Sequence, residues 1–275
     1  MSKKFRTLFM IACTVLLIVS LFQIGLKVHG YFAGQNTYDA AESSFGVTTD
    51  SDLEIPAPVT EISEVSTEAT ERDPLIEAAA SYFESYDFDA LKAINDEIIG
   101  WIVIPETNIS YPICQHDDNQ YYLEHTYEKE ANFVGSIFAD YRVSHPFEDY
   151  NTILYGHRLL NQTMFSALKT YRDKETWEKN PYIFIYTPDA IRVYEIYSAF
   201  SGDPDGISYN ISFSSEEDRQ AFIDYTLSCA EYDTGIVPAT ENSFLTLSTC
   251  IGTDHSQRMI VHSVLVAYEK RTEPE

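Results

Sequence analysis

Four cysteines and seven histidines occur in the 275 residues, and their surroundings set one thiol apart from the others. Cys250 ends the strand-like run SFLTLSTC and is followed at once by IGTDHSQR, a polar turn containing glycine. A thiol at the end of a strand, facing a loop, is held rigidly and still exposed, as a nucleophile must be. Cys13 lies within a long apolar run and is discounted. Cys114 closes the run ISYPIC and Cys229 sits on the apolar side of FIDYTLSCA, so both read as small buried hydrophobes. At the ordinary thiol pKa of about 8.5, only a few per cent is thiolate at pH 7. An imidazole that takes the proton, and a fixed cation beside the attacked carbonyl, would make Cys250 competent for acyl transfer.

Two positions can supply these groups. His157 follows NTILY through Gly156, so it too stands at a strand end with a flexible neighbour. Arg258 begins the run after the Cys250 loop, which brings an always-charged guanidinium back toward the thiol. Each has an ordinary reading as well: a hydrogen-bonded surface histidine, and a strand-edge arginine in an acidic domain. His255 lies in the loop just past Cys250 and is a second imidazole able to approach it. His262, inside RMIVHSVLVAY, reads as a packed core residue. Tyr155 and His157 alternate by two, as do Ser248 and Cys250, so each pair shares a strand face if the strand persists to its end.

The elements that must carry these residues are short β-type runs rich in Ile, Val, Tyr and Phe. They read IIGWIVI, ISYPIC, GSIFAD, NTILYG, YIFIYT, IRVYEIYSAF, SFLTLSTC and RMIVHSVLVAY, with Asn, Asp, Gly and Pro between them. Helical spacing of apolar residues runs from Asp73-Pro74 to about Asn95. Two further helical stretches lie near MFSALKTYRDKETWEKN and SSEEDRQAFIDYTLSCAEY, with Thr163 and Ser214-Ser215 as N-caps. The pattern predicts a mainly β domain over residues 74–275, an eight-stranded barrel with inserted helices.

Residues 7–26, TLFMIACTVLLIVSLFQIGL, are apolar enough to span the roughly 30 Å hydrocarbon core of a bilayer as a helix. Lys3, Lys4 and Arg6 precede this run, which assigns residues 1–6 to the cytoplasm and the remainder to the outside. The run is long for a cleaved signal peptide and no A-x-A site follows, so it reads as an uncleaved signal anchor. Between residues 35 and 73 there are ten acids against Arg72 alone, with many Ser and Thr. Residues 27–73 therefore read as an acidic extracellular tether. The net charge of −25 argues against a nucleic-acid partner, and four cysteines without a C-x-x-C pair suggest neither a disulfide scaffold nor zinc.

TLSTC at 246–250 with Arg258 after it, and NTILYGHR at 151–158 before it, resemble the sortases, the membrane-anchored cysteine transpeptidases of Gram-positive cell surfaces. The stretch INDEIIGWIVIPETNISYPICQHDDNQYYLEHTYEKEANFVGSIFADYR, then NTILYGHRLLNQTMFSALKTY, is similar to the class B pattern almost continuously. The resemblance covers roughly residues 90–268. It implies the sortase eight-stranded barrel, with an N-terminal helical segment and a helix inserted before the cysteine strand. It implies Cys250 as nucleophile, His157 as general acid and base, and Arg258 as electrostatic stabiliser. Asn119, Leu123, Tyr155 and Ser248 match positions that contact the sorting peptide in class B enzymes. Some class B members carry an Asp shortly after the cysteine; here the order is Ile251-Gly252-Thr253-Asp254, and Asp254 is left out of the catalytic set.

The implied reaction cleaves an Asn-Pro-x-Thr-x-like C-terminal sorting signal after Thr and transfers the surface protein to a peptidoglycan amine. Neither metal nor cofactor is expected, since the acidic residues lack calcium-loop spacing. A thiol hydrolase on the same fold and a silent surface-binding module are the other readings. The first would release the cleaved peptide to water, and the second would perform no chemistry.

Overall fold

The eight β-type runs form eight strands in a computed structural model of the chain, which describes residues 3–45, 47, 56–58, 72–82, 87–251 and 256–271. They are β1 (Ile98–Ile104), β2 (Ile109–Cys114), β3 (Ile137–Ala139), β4 (Asn151–Tyr155), β5 (Tyr182–Tyr186), β6 (Ala190–Gly202), β7 (Phe244–Ile251) and β8 (Gln257–Lys270). They close into a barrel in the order β1-β2-β3-β4-β7-β8-β6-β5. Pairing is parallel at β2–β3 and β4–β7 and antiparallel elsewhere. Each of the eight described strands is therefore paired with a neighbour on both sides.

Strands β2 and β5 are buried at every position, in place of the in-out alternation of a sheet with one wet face. The outer face of the barrel is covered too. The helix α2 (Pro74–Ser81) packs on β6 and β8, and Tyr186 of β5 donates its hydroxyl to the Ala79 carbonyl. Asp73 caps α2 by accepting from Leu75 N at 2.8 Å, and Asp87 caps α3 (Phe88–Ile94) through Ala90 N at 3.0 Å. The stretch after Thr163 is a 3-10 helix over Phe165–Arg172 followed by the short α4 (Lys174–Lys179), and Met164, not Thr163, stands at its start. α5 (Glu216–Cys229) is capped by Ser215, whose Oγ accepts from Asp218 N at 3.2 Å.

The N-terminal helix departs from the sequence expectation. α1 runs without interruption from Lys3 to Ser44, a length of about 63 Å at 1.5 Å per residue. Its apolar segment has a mean hydropathy of 2.4, is 0% buried, and is long enough to cross a membrane. Residues 27–44, expected as the start of an extended acidic tether, are instead helical, and the end of this helix is docked on the barrel. Tyr31, Gly34, Tyr38, Ala41 and Phe45 recur at intervals of three and four, so they share one face. Tyr38, Ala41 and Phe45 on that face are buried. Burying a side chain the size of Phe45 contributes about 1.5–3 kcal/mol. Residues 48–55 and 59–71 of the expected tether lie outside the described residues.

His262 is a core residue, fully buried on β8 among Tyr197, Phe200 and Phe222. Thr246 Oγ1 donates to Asn151 Oδ1 at 2.8 Å, so the His262 Nδ1, 3.0 Å from the same oxygen, is the donor of that contact. Burial lowers the His262 pKa from 6.5 to about 3. The unfolded chain therefore takes up a proton as pH falls through 6.5, while the folded ring stays neutral down to about pH 3. Stability from this residue is complete above pH 6.5 and declines on acidification across that window. Lowering the pH from 7 to 5 is expected to cost about 2 kcal/mol at His262. Urea denaturation of wild type and His262→Gln at both pH values checks this: the acid-induced loss should be smaller in the variant by that amount.

Candidate active site

The barrel topology brings the distant sequence motifs to one edge. β4 and β7 are parallel, with Tyr155 in register with Ser248, so both strands end on the same side of the barrel. β8 is antiparallel to β7 and starts there, with Arg258 in register with Cys250. Gly156 N continues the β4–β7 pairing by donating to Ser248 O at 3.2 Å, which delivers His157 to the same edge. A Cβ on Gly156 would lie 2.4 Å from Ile137 Cδ1 and 2.8 Å from the Phe165 ring, so only glycine fits this turn.

A cavity of about 320 Å3 opens at this edge. Asn119, Leu123, Tyr155, His157, Ser248 and Arg258, all singled out in the sequence, line it together. Cys250 lies one residue beyond Thr249, which also lines the cavity; the backbone of Cys250 belongs to β7, and its side chain lies outside what is described. His255 and Asp254 lie outside the described residues. Cys114 is fully buried, and burial pushes its thiol well above the ordinary range, which is the inert behaviour expected of it. Cys229 packs against the small cluster of Ile153, Phe200, Tyr209 and Ile260.

The His157 ring is oriented by the main chain. Its Nε2 lies 2.8 Å from the Leu123 carbonyl, which can only accept, so Nε2 carries the proton in the neutral ring. The basic nitrogen of that tautomer is Nδ1. The segment below is equally constrained: Gly135 has φ +62°, and a Cβ there would lie 2.6 Å from Tyr122 O, 2.8 Å from Leu123 O and 3.0 Å from His157 Cδ2.

Tyr155 and Tyr209, which line the cavity, belong to a polar network that the sequence did not reveal. Asp140 is fully buried and receives two hydrogen bonds from the Arg142 guanidinium, at 2.9 and 2.7 Å. Tyr155 donates its hydroxyl to Asp140 Oδ2 at 2.9 Å. Burial pushes the Asp140 carboxyl up, but the bonds from Arg142 and Tyr155 outweigh it and hold the group below the usual carboxylate range. Burial, followed by the Asp140 charge, pushes the Tyr155 phenol up, so it remains a donor. The Tyr209 ring stacks on Tyr155 at 6.2 Å and 11°, and its hydroxyl lies 2.8 Å from Ser248 Oγ.

Tyr209 sits in the connection between β6 and α5, whose conformation no local pattern predicted. Pro204 and Asp205 of the same connection also line the cavity. Asn119 Oδ1 accepts from Tyr141 N at 3.0 Å, which leaves its amide NH2 as the donating group.

Among the described residues, no group of three or more His, Cys, Asp or Glu side chains is arranged to hold a metal ion. The arrangement comprises a strand-end cysteine position, an imidazole of fixed tautomer, a guanidinium in register with the cysteine, and a groove with amide and hydroxyl groups. Such a site suits nucleophilic acyl transfer.

Comparison with known proteins agrees. The family model described as a sortase domain matches residues 102–266. A protein of Listeria monocytogenes named Sortase B is 33% identical over 179 residues, covering 64% of this chain and 72% of that one. The crystal structure of sortase B from Bacillus anthracis superposes with a TM-score of 0.68 at 29% identity, covering 89% of this chain and all of that one. The Staphylococcus aureus sortase B–substrate complex superposes with a TM-score of 0.62, also at 29% identity, covering 65% of this chain and 84% of that one.

Proposed function

Because the chain belongs to the sortase family and is a cysteine transpeptidase of the class B type, we propose that Cys250, His157 and Arg258 carry its chemistry. The Cys250 thiolate attacks the Thr carbonyl of a C-terminal sorting signal. His157 protonates the departing amine, leaving a thioester on Cys250. An incoming amine, in this reading a peptidoglycan amino group, then attacks the thioester while His157 accepts its proton. Arg258 faces the developing oxyanion. Removing such a donor typically costs about 3 kcal/mol, so Arg258→Ala is expected to lower kcat about a hundredfold, read from initial rates of peptide cleavage.

The observation that carries this reading is the shared cavity, where His157, Arg258, Tyr155 and Ser248 meet at the edge at which β7 reaches Cys250. We assign Asn119, Leu123, Tyr155 and Ser248 to the sorting peptide. The Asn119 amide is a donor for a polar peptide group, and Leu123 supplies an apolar contact. The Asp140–Tyr155 and Tyr209–Ser248 hydrogen bonds stiffen the groove before the peptide arrives. The signal is of the Asn-Pro-x-Thr-x type, as class B resemblance implies.

On this reading residues 7–26 anchor the chain as a single uncleaved span. The N-terminus is cytoplasmic, and the catalytic domain from residue 74 lies on the outside. A surface protein held by its own membrane tail then meets the enzyme in two dimensions, which raises their effective concentration without any added contact.

The test is mass spectrometry of the protein mixed with Asn-Pro-x-Thr-x and Leu-Pro-x-Thr-Gly peptides, with triglycine as amine. The expected result is a Thr–glycine ligation product from the Asn-Pro-x-Thr-x series. Cleavage that never yields a ligation product with any amine would replace the proposal with a hydrolase.

A further inference from the structure

The docked half of α1 touches the segment that holds His157. Asn132 Nδ2 donates to Gly30 O at 3.2 Å, and Tyr31 meets Phe133 edge-on with centroids 4.8 Å apart. A Cβ on Gly34 would lie 2.5 Å from Val134 Cγ2, so the helix lies directly against this segment. One turn further on, Tyr38 is buried and donates its hydroxyl to Gly135 O at 2.6 Å, with Ser136 Oγ 3.2 Å away. Burial pushes this phenol up, so it stays protonated and remains a donor.

Gly135 packs beside both the Leu123 carbonyl and the His157 ring, where a Cβ would lie 2.8 and 3.0 Å from them, and Ser136 N donates to Tyr122 O at 2.9 Å. The contacts therefore run from the Tyr38 hydroxyl to Gly135–Ser136, from there to the Tyr122–Leu123 backbone, and from the Leu123 carbonyl to His157 Nε2. A main-chain acceptor is only as well placed as the segment carrying it, and displacement of a reacting group by about 1 Å can cost a hundredfold in rate.

We propose that the docked half of α1 is a positioning element for catalysis, in which the Tyr38 hydroxyl fixes the 122–136 segment and thereby the tautomer and orientation of His157. The inference rests on the acid-base role proposed for His157. It also means that the helix reaching the membrane and the reacting imidazole belong to one mechanical unit.

The test uses the full chain in detergent. Tyr38→Phe keeps the ring, and with it the packing on Tyr111 and Tyr127, but removes the hydroxyl. Tyr171→Phe is the matched control, since it deletes a buried hydroxyl that donates to Asn180 O at 2.9 Å, outside the segment. In Tyr38→Phe, kcat per folded molecule should fall about three- to tenfold with KM within about twofold, whereas Tyr171→Phe should leave both unchanged. Folded fractions are read from near-UV circular dichroism.

With 15N-labelled histidine, and His157 identified by the signal lost in His157→Gln, the wild-type ring should be the Nε2–H tautomer and Tyr38→Phe a mixture. A wild-type kcat or a single Nε2–H tautomer in Tyr38→Phe would overturn the inference. Full activity in His157→Gln would instead overturn the assigned role of His157, while the nitrogen spectrum would still read the positioning.

Discussion

Cys250→Ala is expected to lower turnover of a sorting peptide by a factor on the order of 10⁴ or more, because no other group can form the thioester. The described cysteines offer no substitute: Cys114 is sealed in the core, Cys229 belongs to an apolar cluster, and Cys13 lies on the N-terminal helix. Alanine at the end of β7 keeps the backbone pairing with β8, so far-UV circular dichroism and the melting temperature should match wild type. Mass spectrometry should show the acyl adduct on wild type and none on the variant. Cleavage by Cys250→Ala at even a tenth of the wild-type rate would remove the residue from its role.

The second large effect is expected at His157. Its replacement by alanine should lower kcat/KM by about 10²–10⁴, the usual contribution of a positioned acid-base group. Both half-reactions move a proton at this ring, so acyl-enzyme formation and its aminolysis should slow together. The Leu123 carbonyl holds the ring from behind at 2.8 Å, so the basic nitrogen is presented in one orientation and little is lost to reorientation. Stopped-flow acylation and triglycine-dependent ligation measure the two steps separately. A variant slowed less than tenfold in both would show that another group performs the transfer, and His255 would be the first to test.

Reading the strands from sequence worked because each depends on neighbours a few residues away. Ile, Val, Tyr and Phe runs bounded by Asn, Asp, Gly and Pro mark a pleated, buried segment whichever strands later pair with it. Ser215 was legible as a cap for the same reason, since the side chain and the amide it meets are three residues apart. The helix end at 31–44 departs from the tether expectation although its signal is also local. Tyr31, Gly34, Tyr38, Ala41 and Phe45 mark one helical face, but acids and hydroxyl residues dominate the composition of the stretch up to position 73. The stretch after Thr163 has the spacing of a helix, but its 3-10 form over Phe165–Arg172 is a distinction that propensity does not make.

The candidate site divides along the same line. Cys250, His157 and Arg258 stood out because each borders a strand end, and the family resemblance supplied Asn119, Leu123, Tyr155 and Ser248. Tyr209 and the buried Asp140–Arg142 pair did not stand out, since their meaning lies in partners distant in sequence. Tyr209 meets Ser248 across 39 positions, and Asp140 meets Tyr155 only once β3 and β4 have paired. Sequence by itself determined the strands, the apolar span and the strong acidity, and it set apart the one thiol among four that is proposed as the nucleophile. Tertiary structure alone decided that β4 and β7 run parallel, so that two strand ends meet at one edge, and that α1 continues onto the barrel to brace the segment behind His157. The physical reason is that propensity and periodicity are summed over adjacent residues, whereas strand pairing and side-chain networks depend on which surfaces remain to be buried once the whole chain has closed.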